Sequence, residues 1–317
     1  MGAFKGSPGI SGRFAFRVAC FTALIAAAAV FPCRGTEGRA ADTNPGSRLV
    51  VWVLSDIQPA RPSERRHFET AVKDAADSLG KIHFALAAGD MLHRSSHAGD
   101  WDWFLRTRER AGVPFWFEIA GNHEARNLPY YRERTGKPLH YAVSAGNVLI
   151  LCMSNEARGA PTIISDGTFR WWKRMVEQNQ DKIIITMTHA TPRRSGLAYT
   201  IFPSMIMRDS DRFFNVLKKH RVDLWISGHA HQPYYFGGKN SAPAGLRGTL
   251  FANVSSVKED FPFDPIESRI LYFTTGSRTL LVRTRDHGQS RFVKSQDIKH
   301  TLGRPFAWDG SPPRMLP

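Results

Sequence analysis

The chain has 317 residues, 42% of them hydrophobic, and carries 43 Lys plus Arg against 28 Asp plus Glu, a net charge of +15 at neutral pH. That length and apolar fraction suffice to bury the core of one large or two small domains, and they exclude a short peptide, an unaided repeat array and wholesale disorder. Three cysteines, Cys20, Cys33 and Cys152, exclude a dense disulfide scaffold.

At the N-terminus, Lys5, Arg13 and Arg17 precede an uncharged stretch over residues 18–31 that is rich in Ala, Val, Leu and Phe. This is the pattern of an export signal, with cleavage near Ala40 or Ala41. Those 14 residues are too few to cross a bilayer of ~30 Å at ~1.5 Å rise per residue, so no permanent membrane span is expected. Residues 1–41 are therefore predicted to be a signal peptide, and the protein to be secreted or periplasmic. Val30-Phe31-Pro32-Cys33 has a faint likeness to a lipoprotein processing site, although Phe and Pro are poor occupants before such a cysteine, so lipid anchoring is the secondary reading. Removing residues 1–41 takes away five basic residues and one acidic residue and leaves a net charge of +11. A field of that sign attracts phosphorylated substrates, nucleic acid or anionic lipid and does not choose among them.

Beyond the signal, short apolar runs alternate with helix-period segments. Leu49–Leu54, Phe84–Ala88, Phe115–Ala120, Ile183–Thr188 and Leu224–Ser227 have strand length and are rich in Val, Ile, Phe or Trp. Between them, Phe68, Val72, Ala75 and Leu79 recur at helical spacing, as do Phe169, Trp172 and Val176, and Phe213, Val216, Leu217 and His220. Tyr141–Val143 and Val148–Met153, joined through Ala145-Gly146-Asn147, read as a hairpin, with Cys152 a buried core thiol. A further strand-rich stretch covers Leu250–Val254, Ile270–Thr274 and Thr279–Arg283. The predicted class is α/β with mixed or paired sheets covered by amphipathic helices.

Five predicted strands end on residues of metal-ligand type. The first runs into Asp56-Ile57-Gln58, the second into Gly89-Asp90, the third into Gly121-Asn122-His123-Glu124, the Ile183 run into His189, and the Leu224 run into Gly228-His229-Ala230-His231. In α/β sheets, ligands gather beyond the carboxyl ends of the strands, so these distant residues are predicted to converge. Carboxylates, an amide carbonyl and imidazoles suit Mn, Fe or Zn, whereas all-oxygen Mg or Ca sites do not need three histidines.

The ordered blocks Asp56-x-Gln58, Gly89-Asp90, Gly121-Asn122-His123-Glu124, His189 and Gly228-His229-Ala230-His231 resemble the calcineurin-like metallophosphoesterase superfamily. Any one block is weak, but five in order after apolar runs are specific. The resemblance implies a four-layer α/β/β/α sandwich with two mixed sheets flanked by helices, and a phosphoesterase domain over residues 42–275 followed by a basic C-terminal extension, 276–317. It further implies two divalent transition metals, Mn, Fe or Zn, bridged by Asp90 and a hydroxide. Asp56, Gln58 and His231 would complete the first metal's shell, and Asn122, His189 and His229 the second's. His123 would stand beside the substrate as general acid.

Gln58 occupies a place where many members have His, while Gly89-Asp90-Met91-Leu92-His93 is similar to branches that carry Gln there. A tyrosine in place of His93 would mark the iron(III)-tyrosinate purple acid phosphatases. A nucleotidase architecture is not expected, because too little chain follows Ser256 for its second domain.

Substrate choice falls to the loops around the crevice, where Arg126, Arg193 and Arg194 are candidates for holding a second phosphate, since guanidinium forks fit phosphate oxygens. Residues 278–304 hold seven basic and two acidic residues, and a solvated terminal hairpin is the preferred reading. The reaction class is hydrolysis of phosphate mono- or diesters or nucleotide diphosphates, with a phosphorylated small molecule as partner. Rival readings are a metal-dependent nuclease or nucleic-acid-binding protein, suggested by the basic charge, and a metal-binding module of impaired chemistry, suggested by Gln58. Oligomeric state is not legible.

Overall fold

The computed structural model describes residues 46–159 and 162–316. The predicted signal peptide, its cleavage site, Cys20 and Cys33 lie outside the described residues. The chain first lays down three parallel strands, β1 (Arg48–Leu54), β2 (Phe84–Ala87) and β3 (Trp116–Glu118), linked by helices α1 (Arg65–Ser78) and α2 (Ala98–Glu109). After α3 (Leu128–Thr135) it builds a second sheet from the hairpin β4 (His140–Ala145) and β5 (Val148–Met153), then α4 (Asp166–Gln178) and β6 (Ile183–Thr188). A two-stranded ribbon of β7 (Thr191–Pro192) and β8 (Ile206–Met207) and helix α5 (Asp211–Leu217) precede β9 (Leu224–Ser227), β10 (Asn240–Ser241) and β11 (Leu250–Asn253). The chain then returns to the first sheet with β12 (Glu267–Thr274), β13 (Thr279–Asp286), β14 (Arg291–Phe292) and β15 (Ile298–Thr301), and ends on β16 (Arg314–Leu316) in the second. The first sheet runs β14-β13-β12-β1-β2-β3 with β15 also on β13, and the second β10-β11-β9-β6-β5-β4-β16.

Alternation along the strands creates three cores. Leu49, Val51 and Val53 of β1 point with Phe84 and Leu86 toward Ile150, Cys152, Ile185 and Leu224 of the other sheet, so the sheets pack face to face. Their neighbours Val50, Trp52 and Leu54 point outward onto Phe68, Ala71, Val72 and Ala75 of α1 and Trp101 and Phe104 of α2. On the far side Leu149, Leu151 and Met153 meet Trp172 and Val176 of α4 and Phe213 and Leu217 of α5. The result is the four-layer α/β/β/α sandwich. Helix α4 is started by Ser165, whose Oγ accepts the Thr168 amide at 3.2 Å.

Two helices carried no sequence prediction. Helix α2 buries Asp100 on its inner face, where Arg65 and Arg94 neutralise it at 2.7 and 2.8 Å, so its apolar stripe is interrupted by a charge. Helix α3 is only eight residues long, too short to show a period. The third strand covers three residues rather than six, and Phe115 at its start is exposed.

The boundary expected at residue 275 falls in the turn between β12 and β13, which pair over seven positions. Residues 276–316 contribute strands to both sheets and place Leu280, Val282, Leu302, Phe306 and Trp308 in the inter-sheet core. Gly146 in the β4–β5 turn shows how close that segment comes, since a Cβ there would meet the backbone of Ala307 and Trp308. Its basic side chains are mostly internal ties. Arg285 grips Asp74 of α1, Arg283 pairs with Asp297 at 3.1 Å, and Arg304 donates to the Gln180 carbonyl.

Candidate metal centre

The register of the parallel strands sets where the crevice lies. Leu54 pairs with Ala87, Ala87 with Glu118, and Thr188 with Ser227, so within each sheet these strands finish level with one another. The next residues in each chain segment are the ones singled out from sequence. Backbone bonds continue past the strand ends: the Asp56 amide donates to Gly89 O (3.1 Å), and the Gly228 amide to His189 O (2.8 Å). Asp56, Asp90, His229 and His231 all have positive φ (54°, 51°, 64° and 45°), a left-handed backbone that is costly for residues with a Cβ and concentrates at functional sites. Gly89, at φ 98°, allows the close approach of three segments, because a Cβ there would lie 2.6 Å from His189 Nδ1 and 2.8 Å from the Gly121 backbone.

The side chains converge. His189 Nε2 lies 3.0 Å from Asn122 Oδ1, 3.3 Å from Asp90 Oδ2 and 4.0 Å from Asp56 Oδ1. His231 Nε2 lies 3.0 Å from Asp56 Oδ1. The Gln58 carboxamide is buried between the two groups: with its oxygen turned to His231 Nε2 (3.3 Å), its nitrogen donates to Asp90 Oδ2 at 2.9 Å. The rings of His189 and His229 stand 4.8 Å apart, and ligand atoms of Asp90, His189 and His229 all fall within 4.8 Å of one another. All seven predicted ligands therefore meet in one place.

Each histidine is tethered from behind. His189 Nδ1 donates to the Ala88 carbonyl at 2.8 Å, His229 Nε2 to the Ser204 carbonyl at 2.9 Å, and His231 Nδ1 to Asp260 at 2.6 Å. In each ring one nitrogen is spent on that bond and the other is left for the centre, the arrangement that fixes ring orientation in metal sites. Two carboxylates sit among these rings, and no Lys or Arg bonds to them among the described residues. Burial works against charge on His189 and His231, yet Asp90 and Asp56 outweigh it and push these rings up to about 9 and about 10. The Asp90 carboxyl, which burial alone would raise, is held well below the ordinary carboxylate range by His189 and His123. Such a donor set requires positive charge, and its mixture of carboxylate, carboxamide and imidazole fits a borderline divalent cation.

His123 is placed differently. Its amide donates to Asp90 Oδ1 at 2.8 Å, its Nδ1 donates to the His93 carbonyl at 3.2 Å, and its Nε2 stays 3.9 Å from Asp90 Oδ2. Arg126 reaches the same His93 carbonyl at 3.4 Å and lines an open hollow of about 410 Å³ with His93, Ser95 and Arg158. The other two arginines lie elsewhere. Arg193 lines a separate hollow with Met207 and Arg208, and Arg194 lies 3.6 Å from Asp211.

Sequence reasoning missed three supports. Glu124 is fully buried, and its carboxylate accepts the amides of Asp90 (2.8 Å), Gly121 (3.0 Å) and Leu92 (3.0 Å), tying the second and third strand ends together. Burial and then the charge of Asp90 push its carboxyl up to about 7. The position next to His123 was its only signal. Asp260 and Ser204, which orient His231 and His229, lie in loops that give none.

A family model for calcineurin-like phosphoesterases matches residues 49–233. No curated protein matches the chain. Among solved structures, a purple acid phosphatase from yellow lupin (Lupinus luteus) seeds is similar at 15% identity and a TM-score of 0.56, covering 78% of this chain and 52% of its own. The anchor protein of the inner membrane complex of Plasmodium is similar at 11% identity and a TM-score of 0.55, covering 81% of this chain and 90% of its own. This chain thus spans about half the length of the lupin enzyme, and at these identities the likeness is one of fold. The matched segment contains every one of the converging ligand candidates, and the chain belongs to the calcineurin-like phosphoesterase family.

Proposed function

We propose that the chain hydrolyses phosphate mono- or diesters, or nucleotide diphosphates, at a centre holding two divalent transition metals drawn from Mn, Fe or Zn. Asp56, Gln58, Asp90 and His231 hold one, and Asp90, Asn122, His189 and His229 hold the other. The observation that carries this reading is the rear tethering of three histidines around two buried carboxylates, with the other nitrogen of His189 turned to Asp90, that of His231 to Asp56, and His229 within 4.8 Å of Asp90. Bound there, the metals supply charge neutralisation for phosphoryl oxygens and acidify water.

The protein's own residues do the rest. Asp90 lies between the two ligand groups and takes the His123 amide, which sets the loop carrying the acid. His123, held by the His93 carbonyl, turns Nε2 inward and delivers its proton to the departing oxygen. Burial lowers the affinity of this ring for its proton, and the neighbouring Asp90 carboxylate opposes that fall. Arg126, in the hollow beyond His93, is a cation for the part of the substrate that leaves. Gln58 faces both Asp90 and His231, which supports reading it as part of the first metal's shell. The export pattern of residues 1–41 supports a secreted or periplasmic location.

The test is a panel of phosphomonoester, phosphodiester and nucleotide diphosphate substrates with chelated protein to which Mn, Zn, Fe or Mg is returned. Turnover should vanish on chelation and return with the transition metals. Full turnover in the chelated protein would overturn the proposal.

A further inference from the structure

Few large apolar side chains stay exposed among the described residues, and six of the eight sit on three neighbouring loops: Ile201, Phe202, Tyr235, Phe236, Phe261 and Phe263. The loops are joined into one lip. Tyr199 packs on Phe202 and Phe236 at centroid distances of 6.0 and 5.4 Å, the Ala198 amide donates to Gly238 O at 3.1 Å, and the Tyr235 hydroxyl donates to Asp264. The lip borders the metal centre on the side of its histidines. The first loop supplies the Ser204 carbonyl to His229, the last supplies Asp260 to His231, and the middle one follows His231 directly.

Phe263 carries two costs at once. Its side chain is 96% exposed, and its φ is 76°, a conformation aromatic residues rarely adopt and one that costs ~1–3 kcal/mol. A ring held in water on a strained backbone is placed for something outside the molecule, and a contiguous apolar patch beside a site marks where that something binds.

What the lip lacks selects the occupant. Residues 197–205 and 233–238 contain no Lys, Arg, Asp or Glu, residues 260–264 contain only Asp260 and Asp264, and the one cation bonded to a lip ring is Arg291, which donates to the Tyr234 hydroxyl at 3.0 Å, among the described residues. Both acids are engaged within the lip and its neighbours, Asp260 by His231 and Lys258, Asp264 by Tyr235 and the Phe261 amide. A path for nucleic acid needs cations spaced along the phosphates between its stacking rings. Uncharged Phe and Ile suit the acyl region of a lipid surface, and the net charge of +11 that remains beyond residue 41 adds attraction to anionic headgroups.

We propose that this lip seats in a lipid–water interface and that the site acts on amphiphilic phosphoesters, with the phosphate entering the metal centre and the hydrocarbon chain lying against the lip. The substrate half of this inference rests on the phosphoesterase reading above, and the docking half does not.

The experiment sediments the full chain, metal-free, with vesicles of phosphatidylcholine and phosphatidylglycerol, comparing wild type with Phe261→Ser/Phe263→Ser. Both side chains are exposed, so the variant should unfold at the wild-type temperature, and the N-terminal segment is the same in both proteins. Partitioning should be weaker in the variant by roughly tenfold or more, and wild-type binding should persist at high salt. Equal partitioning by the two proteins would overturn the proposal, as would vesicle binding lost at high salt alongside salt-sensitive binding of single-stranded DNA. With metals returned, wild type should prefer a long-chain phosphoester in vesicles over its short-chain analogue, and the variant should lose that preference. Vesicle binding with equal hydrolysis of the two esters would leave docking standing and defeat the substrate half alone, whereas vesicle binding with hydrolysis of neither ester would count against the phosphoesterase reading itself.

Discussion

Glu124→Gln and Glu124→Ala test whether one buried carboxylate organises the crevice. The carboxylate accepts three backbone amides, those of Asp90 and Gly121 on Oε2 and that of Leu92 on Oε1. A carboxamide keeps one oxygen but turns an NH2 toward the third amide, and an orphaned buried donor costs about 1–3 kcal/mol. An opposing effect reduces this cost. Burial and the charge of Asp90 push the carboxyl up to about 7, so a neutral side chain relieves part of the repulsion. The net loss for glutamine should therefore lie near the lower limit, ~1 kcal/mol. Alanine orphans all three amides and opens a cavity, for a loss of about 3 kcal/mol or more. Urea unfolding of the metal-free proteins, with midpoints compared at a common slope, reads these differences directly. The expected order is wild type, then glutamine, then alanine. An alanine variant as stable as wild type would show that Glu124 does not organise the crevice, since three buried amides cannot lose their acceptor without cost.

Two further outcomes follow from other contacts. If the Gln58 oxygen is a ligand, Gln58→Ala should weaken one metal selectively while Gln58→His preserves or tightens it, imidazole being the stronger donor; calorimetric titration showing unchanged affinity for both metals in Gln58→Ala would remove Gln58 from the shell. On the outer face of the first sheet, burial would raise the Asp74 carboxyl, but Arg285 and His287 hold it well below the ordinary range, so its stabilisation is present above about pH 4 and lost as pH falls through the folded value. Asp74→Asn should cost about 3–5 kcal/mol at neutral pH and flatten that acid limb; an unchanged acid transition would contradict the assignment.

Strand positions were legible because the inter-sheet strands are apolar on both faces: Ile183–Thr188 and Leu224–Ser227 are buried throughout, and their bounds match those read from sequence. The site was legible because its ligands stand directly after such runs. Part of what could not be read follows from inner faces that are polar. Asp100 breaks the stripe of α2, and the basic residues of 278–304 read as a solvated hairpin although Arg283 and Arg285 are neutralised by Asp297 and Asp74 rather than by water. Leu302, Phe306 and Trp308 fill the end of the inter-sheet core from irregular chain, where no period announces them. Asp260 and Ser204 escaped notice because a residue that orients a ligand needs only one acceptor oxygen, and loops supply those without any pattern.

Metal content measured beside turnover separates the two roles, Asp90 as a holder of metal and His123 as the source of a proton. His123 contacts the centre only through its amide bond to Asp90 and the distant approach of Nε2. His123→Ala should keep both metals and lose about 10²–10⁴ of its turnover on an alkyl phosphoester, with a smaller loss on an aryl ester whose leaving group needs no proton. Asp90→Asn should lose affinity for both metals. Equal metal loss in the two variants, or equal rate loss on the two esters by His123→Ala, would contradict the account.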